Sequence, residues 1–368
     1  MKLLYITFID LKKSPSSGSS VRPHKMLEAF QNLNIDTFIV DGATNDLKTR
    51  KNSIKLVEKK LTNWKPDICY IEPPSGPMFY YGDVQLIKKL HRMGVPISIF
   101  YRDAYWKYPS FYLTSNTPIV ERLKDIIIRN LHRYQLSVFK KNIDIIYFPS
   151  ETMKNEFDCP RMEILPPGSF LSDAEEKKSI SHPLQVIFVG GAAKNHGTFL
   201  TLDAFELANK NKTVAKLFYI CPEEQWKALK IDKEKYSSWL EVIHTSGDKN
   251  LKPYYEKSDI AILTAPKTFY RDFAVPIKIF EYLSYLKPIL ATDCIETAKV
   301  INENQIGWVV KDNASDIASV LQKLNDNSEI VDSVKANMTL ARDNNLWTKR
   351  AEKVVRELSE INKSKGIN

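Results

Sequence analysis

The chain has 368 residues, which is enough for about two domains that each bury a core of their own. Its 43% hydrophobic and 26% charged residues are ordinary for a soluble protein, and no apolar stretch is long enough to span a bilayer. The apolar run 3–9 meets Asp10 at once and is too short for a signal peptide core, so we expect a cytoplasmic protein. A net charge of +9 favours an acidic partner such as a nucleotide, a phospholipid surface or a nucleic acid.

Several classes of protein lack their motifs here. The four cysteines are scattered without Cys-x-x-Cys or histidine spacing, which argues against zinc and for a reducing compartment. No Asp-x-Asp triplet offers a carboxylate pair for a metal-nucleotide complex, so no metal site is predicted. There is no G-x-S-x-G, no P-loop and no H-E-x-x-H, so hydrolase, ATPase and metalloprotease functions are not supported.

The first half of the chain alternates between strand and helix patterns. Residues 2–8 read as a buried strand, followed by a Ser/Gly-rich loop at 14–20 and a helix from Val21 to about Phe30. Such a loop can turn backbone N–H groups toward an anion. A flexible surface loop is the alternative and is only slightly less favoured. The alternation predicts a parallel sheet with helices on both faces. Further strands are predicted at residues 37–40, 68–72, 97–101 and 145–149.

Polar residues follow the predicted strand at 97–101. Arg102 and Asp103 stand at its carboxyl end, and Tyr105 and Trp106 come directly after them. Ligands of open parallel sheets bind at the carboxyl ends of strands, so these residues are candidates for catalysis and acceptor binding. The alternative is an ion pair that caps a loop.

Residues 117–142 form one long helical pattern with six Lys or Arg against two acids. Apolar residues such as Ile126, Ile127 and Leu131 lie between the charges. A helix of this kind can lie on an anionic membrane. The pattern is more typical of a core helix with a solvated basic face.

The second half begins after a loop-rich, charged stretch at 166–184, which we interpret as a linker. A strand at 185–189 leads into a loop that contains Gly190, Gly191, Lys194 and His196. Later, residues 273–292 read as a buried helix and a short strand. Only Lys278 and Glu281 are charged in that helix, and their spacing places them on one face. They form either a structural ion pair or a site for a ligand's hydroxyls and anion.

The run P-x-K-x-F-E-Y-L followed by K-P-I-L-A-T resembles the signature of glycosyltransferase family 4. The resemblance implies an α/β protein of the GT-B fold, with two Rossmann-like parallel-sheet domains facing each other across a cleft. We expect an acceptor-side domain at 1–170, a nucleotide-sugar domain at 184–342, and a helix at 343–368 that returns to the first domain.

The resemblance also implies site residues. Glu281 matches the second glutamate of the family's Glu-x7-Glu motif, which is expected to hold the nucleotide ribose, whereas Phe273 stands where the family has the first, which is expected to touch the donor sugar. Gly191 and His196 replace the two basic residues that clamp the diphosphate, and Lys194, Arg271 and Lys278 are candidate substitutes. The base is expected near Ser246 and Gly247. Gly190 keeps a family glycine, and Gly18 and Arg22 fit the glycine and arginine of the family's first loop.

The sequence therefore predicts a glycosyltransferase that moves a sugar from a nucleotide diphosphate sugar, with UDP-sugars favoured, to a glycan, lipid-linked or protein hydroxyl. The resemblance implies retention of configuration and a role in bacterial surface polysaccharide or glycoconjugate synthesis, and the lack of an Asp-x-Asp triplet implies independence from metal. An anionic membrane surface is a further expected partner, with a peripheral location on the cell membrane, and no nucleic acid partner is expected. Because Phe273, Gly191 and His196 depart from the family pattern, a non-catalytic partner subunit of the same fold is the alternative.

Overall fold

The computed structural model of the chain describes residues 1–15 and 18–364, and only the backbone of Gly18 and Ser19. By its internal contacts the chain divides into two units. The first contains Met1–Pro167 together with the chain from Trp347 onward, and the second is Gly168–Leu346. None of the helices in the described residues is long and apolar enough to cross a membrane.

Each unit is built on one parallel six-stranded sheet. The strands, numbered along the chain, are β1 Lys2–Thr7, β2 Asp36–Val40, β3 Ile68–Glu72, β4 Ile97–Phe100, β5 Ile145–Phe148, β6 Met162–Ile164, β7 Leu184–Val189, β8 Ala215–Ile220, β9 Leu240–Ile243, β10 Ile260–Leu263, β11 Ile289–Thr292 and β12 Gly307–Val310.

The helices fill the connections between the strands, apart from short 3₁₀ turns. They are α1 Gly18–Asn32, α2 Leu47–Lys60, α3 Tyr81–Arg92, α4 Ile119–Asn142, α5 Glu151–Lys154, α6 Thr198–Ala208, α7 Glu223–Ala228, α8 Asp248–Lys257, α9 Phe269–Asp272, α10 Ile277–Ser284, α11 Ile295–Asn304, α12 Ala314–Asp326, α13 Glu329–Asn344 and α14 Trp347–Ser364.

The first sheet has the order β2-β1-β3-β4-β5-β6. All residues of β3, β4 and β5 are buried, as expected for strands covered on both faces. Helix α14 packs against α1, β3 and β4, and the hydroxyl of Tyr147 on β5 donates to Glu357 Oε2 at 2.6 Å. Residues 347–364 are therefore part of the core of the first unit.

The second sheet has the order β12-β11-β10-β7-β8-β9 and two apolar layers. Alternate residues of β7 enter different layers: Val186 and Phe188 pack with α6 and α12, whereas Ile187 and Val189 pack with α8 and α10. Successive side chains of a strand point to opposite faces, so the sheet is covered on both sides.

Two features of this organisation differ from the sequence-based expectations. Most of the stretch 166–184, interpreted as a linker, belongs to the second unit and is bonded to it. The backbone N–H of Phe170 donates to Ser284 Oγ at 2.8 Å, and Lys177 pairs with Asp259 at 2.8 Å. Hydrophobic periodicity cannot detect such single bonds. Helix α1 begins at Gly18 rather than Val21, while Ser16 and Ser17 of the predicted anion loop lie outside the described residues.

Candidate functional site

The strand order of the second sheet reverses between β7 and β10. From β7 the chain crosses to β8 on one side, and β10 lies on the other side of β7. Ligands of open parallel sheets bind at such switch points, outside the carboxyl ends of the strands. The loops that leave β7 and β10 at this edge are residues 190–197 and 264–276.

Gly197 shows how closely these two loops approach. It has φ +82°, and a Cβ placed on it would lie 1.5 Å from the carbonyl oxygen of Thr264. Only glycine fits this position, for both conformational and steric reasons. It immediately precedes α6, whose N-terminus has no side-chain cap. The first-turn N–H groups of α6 are thus held beside the β10 loop.

Gly191 and His196 form the rest of the first loop. The ring Nδ1 of His196 lies 3.1 Å from the carbonyl oxygen of Gly191. A Cβ on Gly191 would come within 2.6 Å of that nitrogen and 2.9 Å of Gln225 Oε1. Gly190 lies against the ring of Phe188. The loop is compact because its glycines leave room for these neighbours.

Two of the basic residues predicted to bind the diphosphate lie in these loops. Lys194 is exposed and, among the residues that the structure describes, its ammonium has no ion pair or hydrogen bond. Arg271 on α9 donates to the carbonyl oxygen of Asn195, so the structure brings it next to Lys194. Phe273, at the position of the absent family glutamate, is buried and packs edge-on against Phe269 and Tyr270.

Glu281 lies at the centre of a polar cluster on α10. Its Oε2 is 2.7 Å from Lys278 Nζ, and its Oε1 accepts from the Tyr255 hydroxyl at 2.8 Å. The ion pair of the structural interpretation is therefore present. Burial, and next the Glu281 charge, raise the pKa of Tyr255 well above its usual value, so this hydroxyl is a permanent donor.

Tyr282 holds α10 at the switch point. Its hydroxyl accepts from the backbone N–H of Val189, the last residue of β7, at 3.1 Å and donates to the carbonyl oxygen of Ile262 on β10 at 3.4 Å. The neighbouring Glu281 is consequently fixed relative to both strands. Helix α10 also begins without a side-chain cap.

Ser246 and Gly247 precede α8, which packs against α10. Gly247 has φ +85° and no atom within 4 Å of a Cβ placed on it, so open space adjoins the loop. The carbonyl oxygen of Ser246 accepts from Asn250 Nδ2 at 3.1 Å. The Tyr285 hydroxyl contacts the Asp248 carbonyl oxygen at 3.4 Å and thereby links the start of α8 to α10. Base binding here stays a prediction.

The first unit has its own polar cluster around Glu72, at the carboxyl end of β3. One carboxylate oxygen accepts from Arg22 Nε at 2.9 Å and from the Tyr70 hydroxyl at 2.5 Å, and the other accepts from Arg102 at 3.0 Å. Arg22 is only 4% exposed and stacks on Phe100. These contacts show that Arg22 stabilises the interior of the first unit. Its role in acceptor binding stays a prediction.

Asp103 and Arg102 line a small pocket in the first unit. Asp103 Oδ1 accepts from the backbone N–H of Tyr105 at 2.7 Å, which fixes the turn after β4. His132 of α4 lines the same pocket. Burial lowers the pKa of His132 to about 4, so its ring is neutral.

Aromatic residues support this pocket. The indole of Trp106 stacks on the His132 ring at 5.2 Å, and its Nε1 donates to the Tyr101 hydroxyl at 3.0 Å. Tyr105 is more exposed and stacks on Tyr112 at 5.5 Å. Trp106 thus shapes the pocket by positioning His132, and its predicted contact with an acceptor remains a prediction.

Sequence reasoning missed three residues of these clusters: Tyr255, Tyr282 and Glu72. Tyr255 lies 26 residues from Glu281, and no local pattern connects the two. Glu72 ends a predicted parallel strand, so the rule on strand ends could have identified it. Within the described residues, no group of three or more His, Cys, Asp or Glu is placed to hold a metal ion.

Comparisons with known proteins agree with this geometry. Residues 172–339, nearly the whole second unit, match the family model described as glycosyl transferases group 1. No curated protein is significantly similar to the chain in sequence.

Solved structures extend the similarity over the whole chain. Sucrose-phosphate synthase from Thermosynechococcus elongatus has a TM-score of 0.70 at 11% identity, with 99% of this chain and 100% of that chain covered. A glycosyltransferase from Rickettsia africae has a TM-score of 0.66 at 14% identity, with 98% of each chain covered. The Anabaena protein HepE in complex with UDP has a TM-score of 0.63 at 10% identity, with 98% and 100% covered.

These similarities confirm the predicted fold, with two Rossmann-like parallel sheets. The second unit carries the sequence features of the family, and the first unit shares the architecture alone. Residues 172–339 thus match the glycosyl transferases group 1 family, and the chain as a whole has the fold of GT-B glycosyltransferases.

Proposed function

We propose that the second unit binds a nucleotide diphosphate sugar at the β7/β10 switch point and that its sugar is transferred to a hydroxyl acceptor. The observation that carries the proposal is the convergence there of a glycine loop, two uncapped helix N-termini, the cations Lys194 and Arg271, and the Glu281 carboxylate. Helix N-termini and cations suit a diphosphate, and a carboxylate suits vicinal hydroxyls.

Departure of the diphosphate is the step these groups assist. The bond between the anomeric carbon and the phosphate oxygen breaks, the bond to the acceptor oxygen forms, and the hydroxyl proton passes to a base, for which Asp103 is the candidate. Charge accumulates on the departing phosphate, where N–H groups of α6 and α10 and the ammonium of Lys194 stabilise it. Lys278 is a further candidate cation, although it already pairs with Glu281.

The acceptor side is assigned to the pocket of the first unit. Asp103 is the group proposed to orient or deprotonate the hydroxyl, with Arg102 beside it for an acceptor phosphate. UDP-sugars are the favoured donors, which is supported by HepE of similar fold having been solved with UDP. The resemblance to bacterial family 4 enzymes supports retention and a role in surface polysaccharide or glycoconjugate synthesis, and the lack of an Asp-x-Asp triplet supports metal independence.

The test is release of nucleoside diphosphate from a panel of nucleotide sugars, with and without added hydroxyl acceptors and with a chelator present throughout. We expect at least one UDP-sugar to be hydrolysed or transferred, and product NMR to show the donor's anomeric configuration. Binding of UDP-sugars without any turnover would instead favour the non-catalytic partner subunit, for which buried Phe273 in place of a glutamate is the specific observation.

A further inference from the structure

Between Ile119 and Gln135, helix α4 of the first unit buries polar side chains and leaves large apolar side chains exposed. On the inner side, Asp125, His132 and Gln135 are buried. Large apolar residues recur at helical spacing on the opposite side and are each between 41% and 76% exposed. They are Ile119, Val120, Leu123, Ile126, Ile127 and Tyr134, here named the apolar stripe. A helix of a soluble protein normally shows the reverse arrangement.

The inner contacts fix this orientation. Asp125 accepts from the Tyr112 hydroxyl at 2.6 Å and pairs with Arg129 at 2.6 Å. The side-chain amide of Gln135 bonds both backbone groups of Met78, at 3.0 and 2.8 Å. With His132 stacked on Trp106, the helix has polar and aromatic anchors along its inner side. The outward position of the apolar stripe is therefore set by specific bonds.

Positive charge borders the apolar stripe. Helix α4 contains six basic residues and two acids, and Asp125 is turned inward and paired. Arg122 and Arg133 flank the stripe on one side and Lys124 on the other, according to their helical positions. The helix therefore combines an exposed apolar face with basic edges, which is the pattern of helices that lie in a membrane interface.

We propose that the apolar stripe docks on an anionic lipid bilayer surface, with its side chains at the boundary of the acyl chains and the basic edges on lipid phosphates. A second copy of the chain is a poorer occupant, because pairing two stripes would bring their basic edges together. This docking is independent of glycosyl transfer, so the two can fail separately. It gives the enzyme a peripheral membrane location, next to lipid-linked hydroxyls.

The test is co-sedimentation with vesicles of phosphatidylcholine, with or without phosphatidylglycerol. The wild type should bind the anionic vesicles, bind neutral ones weakly, and lose binding as salt is added. Leu123→Gln combined with Ile127→Gln should weaken binding about tenfold or more, since each side chain loses its burial in the membrane. Lys124→Gln should weaken it about fivefold, from about 1 kcal/mol per basic residue near an anionic surface.

Leu56→Gln is the matched control, because Leu56 is 65% exposed on α2 of the same unit and lies outside the stripe. It should bind like the wild type. The proposal is overturned if the wild type does not co-sediment with anionic vesicles. It is also overturned if the Leu123 and Ile127 double variant binds them as well as Leu56→Gln does. It is also overturned if the wild type is a dimer in solution that the same variant converts to a monomer without loss of vesicle binding.

Discussion

Replacing Glu281 with glutamine separates the two roles open to this carboxylate. The substitution keeps the side-chain shape, and the amide oxygen can still accept from the Tyr255 hydroxyl. What it removes is the ion pair with Lys278, whose side chain is 28% exposed against 17% for Glu281. A partly exposed pair three residues apart on a helix contributes at most about 1 kcal/mol. The melting temperature should therefore fall by no more than about 4 °C.

Nucleotide affinity should respond much more strongly. An ionised carboxylate has about four acceptor positions, so two remain for ribose hydroxyls after Tyr255 and Lys278 have taken theirs. Hydrogen bonds to a charged acceptor contribute about 1.5–3 kcal/mol, compared with about 0.5–1.5 kcal/mol to a neutral one. The loss of about 1–1.5 kcal/mol per hydroxyl raises the Kd about tenfold for each bond weakened.

Titration calorimetry with UDP and with uridine, alongside thermal unfolding, measures both quantities. Both ligands should lose affinity equally, because both carry the ribose. Glu352→Gln is the control, since Glu352 forms a similar pair with Lys349 at 3.2 Å on α14. A Kd for UDP within about twofold of wild type, together with a melting temperature several degrees lower, would refute the ribose role and leave a structural ion pair.

Four further variants test the roles of Lys194, Asp103, Gly197 and His132. Lys194→Ala should weaken UDP binding about tenfold and leave uridine binding unchanged, and equal losses would show that the side chain does not meet the phosphates. Asp103→Asn can still accept from the Tyr105 N–H, so it should keep UDP binding but lose transfer about a hundredfold or more, and undiminished transfer would remove its role. Gly197→Ala should lower the free energy of unfolding by about 2 kcal/mol or more in urea titrations, because a Cβ meets Thr264, and a change under about 0.5 kcal/mol contradicts this. The pKa of His132 is about 4 in the folded protein and 6.5 in the unfolded chain, so the unfolded chain binds a proton first as the pH falls. The free energy of unfolding of the wild type should therefore drop by up to about 3 kcal/mol between pH 6.5 and pH 4. His132→Phe should flatten this dependence, and an identical pH profile would exclude His132 as its cause.

Much of the fold follows from the sequence because buried parallel strands are continuous apolar runs. β3 and β5 were predicted within a residue of their ends for this reason. β6 and β9 were not predicted. β6 has three residues, β9 carries Glu241, and both lie at sheet edges where one charged side chain can reach solvent. Edge strands of this length do not form a distinct hydrophobic pattern.

The candidate site was predictable only where its residues are neighbours in sequence. The contact between Lys278 and Glu281 follows from helical spacing, whereas Tyr255 reaches Glu281 only through the packing of α8 on α10. Helix α4 shows the same limit differently. Its sequence showed apolar residues between the charges but not which side of the helix would be buried, so the core-helix interpretation is wrong for its first half, where Leu123 is 56% exposed.

The first unit can complete its core only after helix α14 has been synthesised. Val354 and Leu358 are fully buried, and Glu357 accepts from Tyr147 in the interior of that unit. These residues leave the ribosome only after all of the second unit has been made. Until then the nascent first unit exposes an apolar face on α1 and the unpaired hydroxyl of Tyr147. The second unit, made from one continuous segment, can complete its core earlier, so the half that begins the chain finishes folding last.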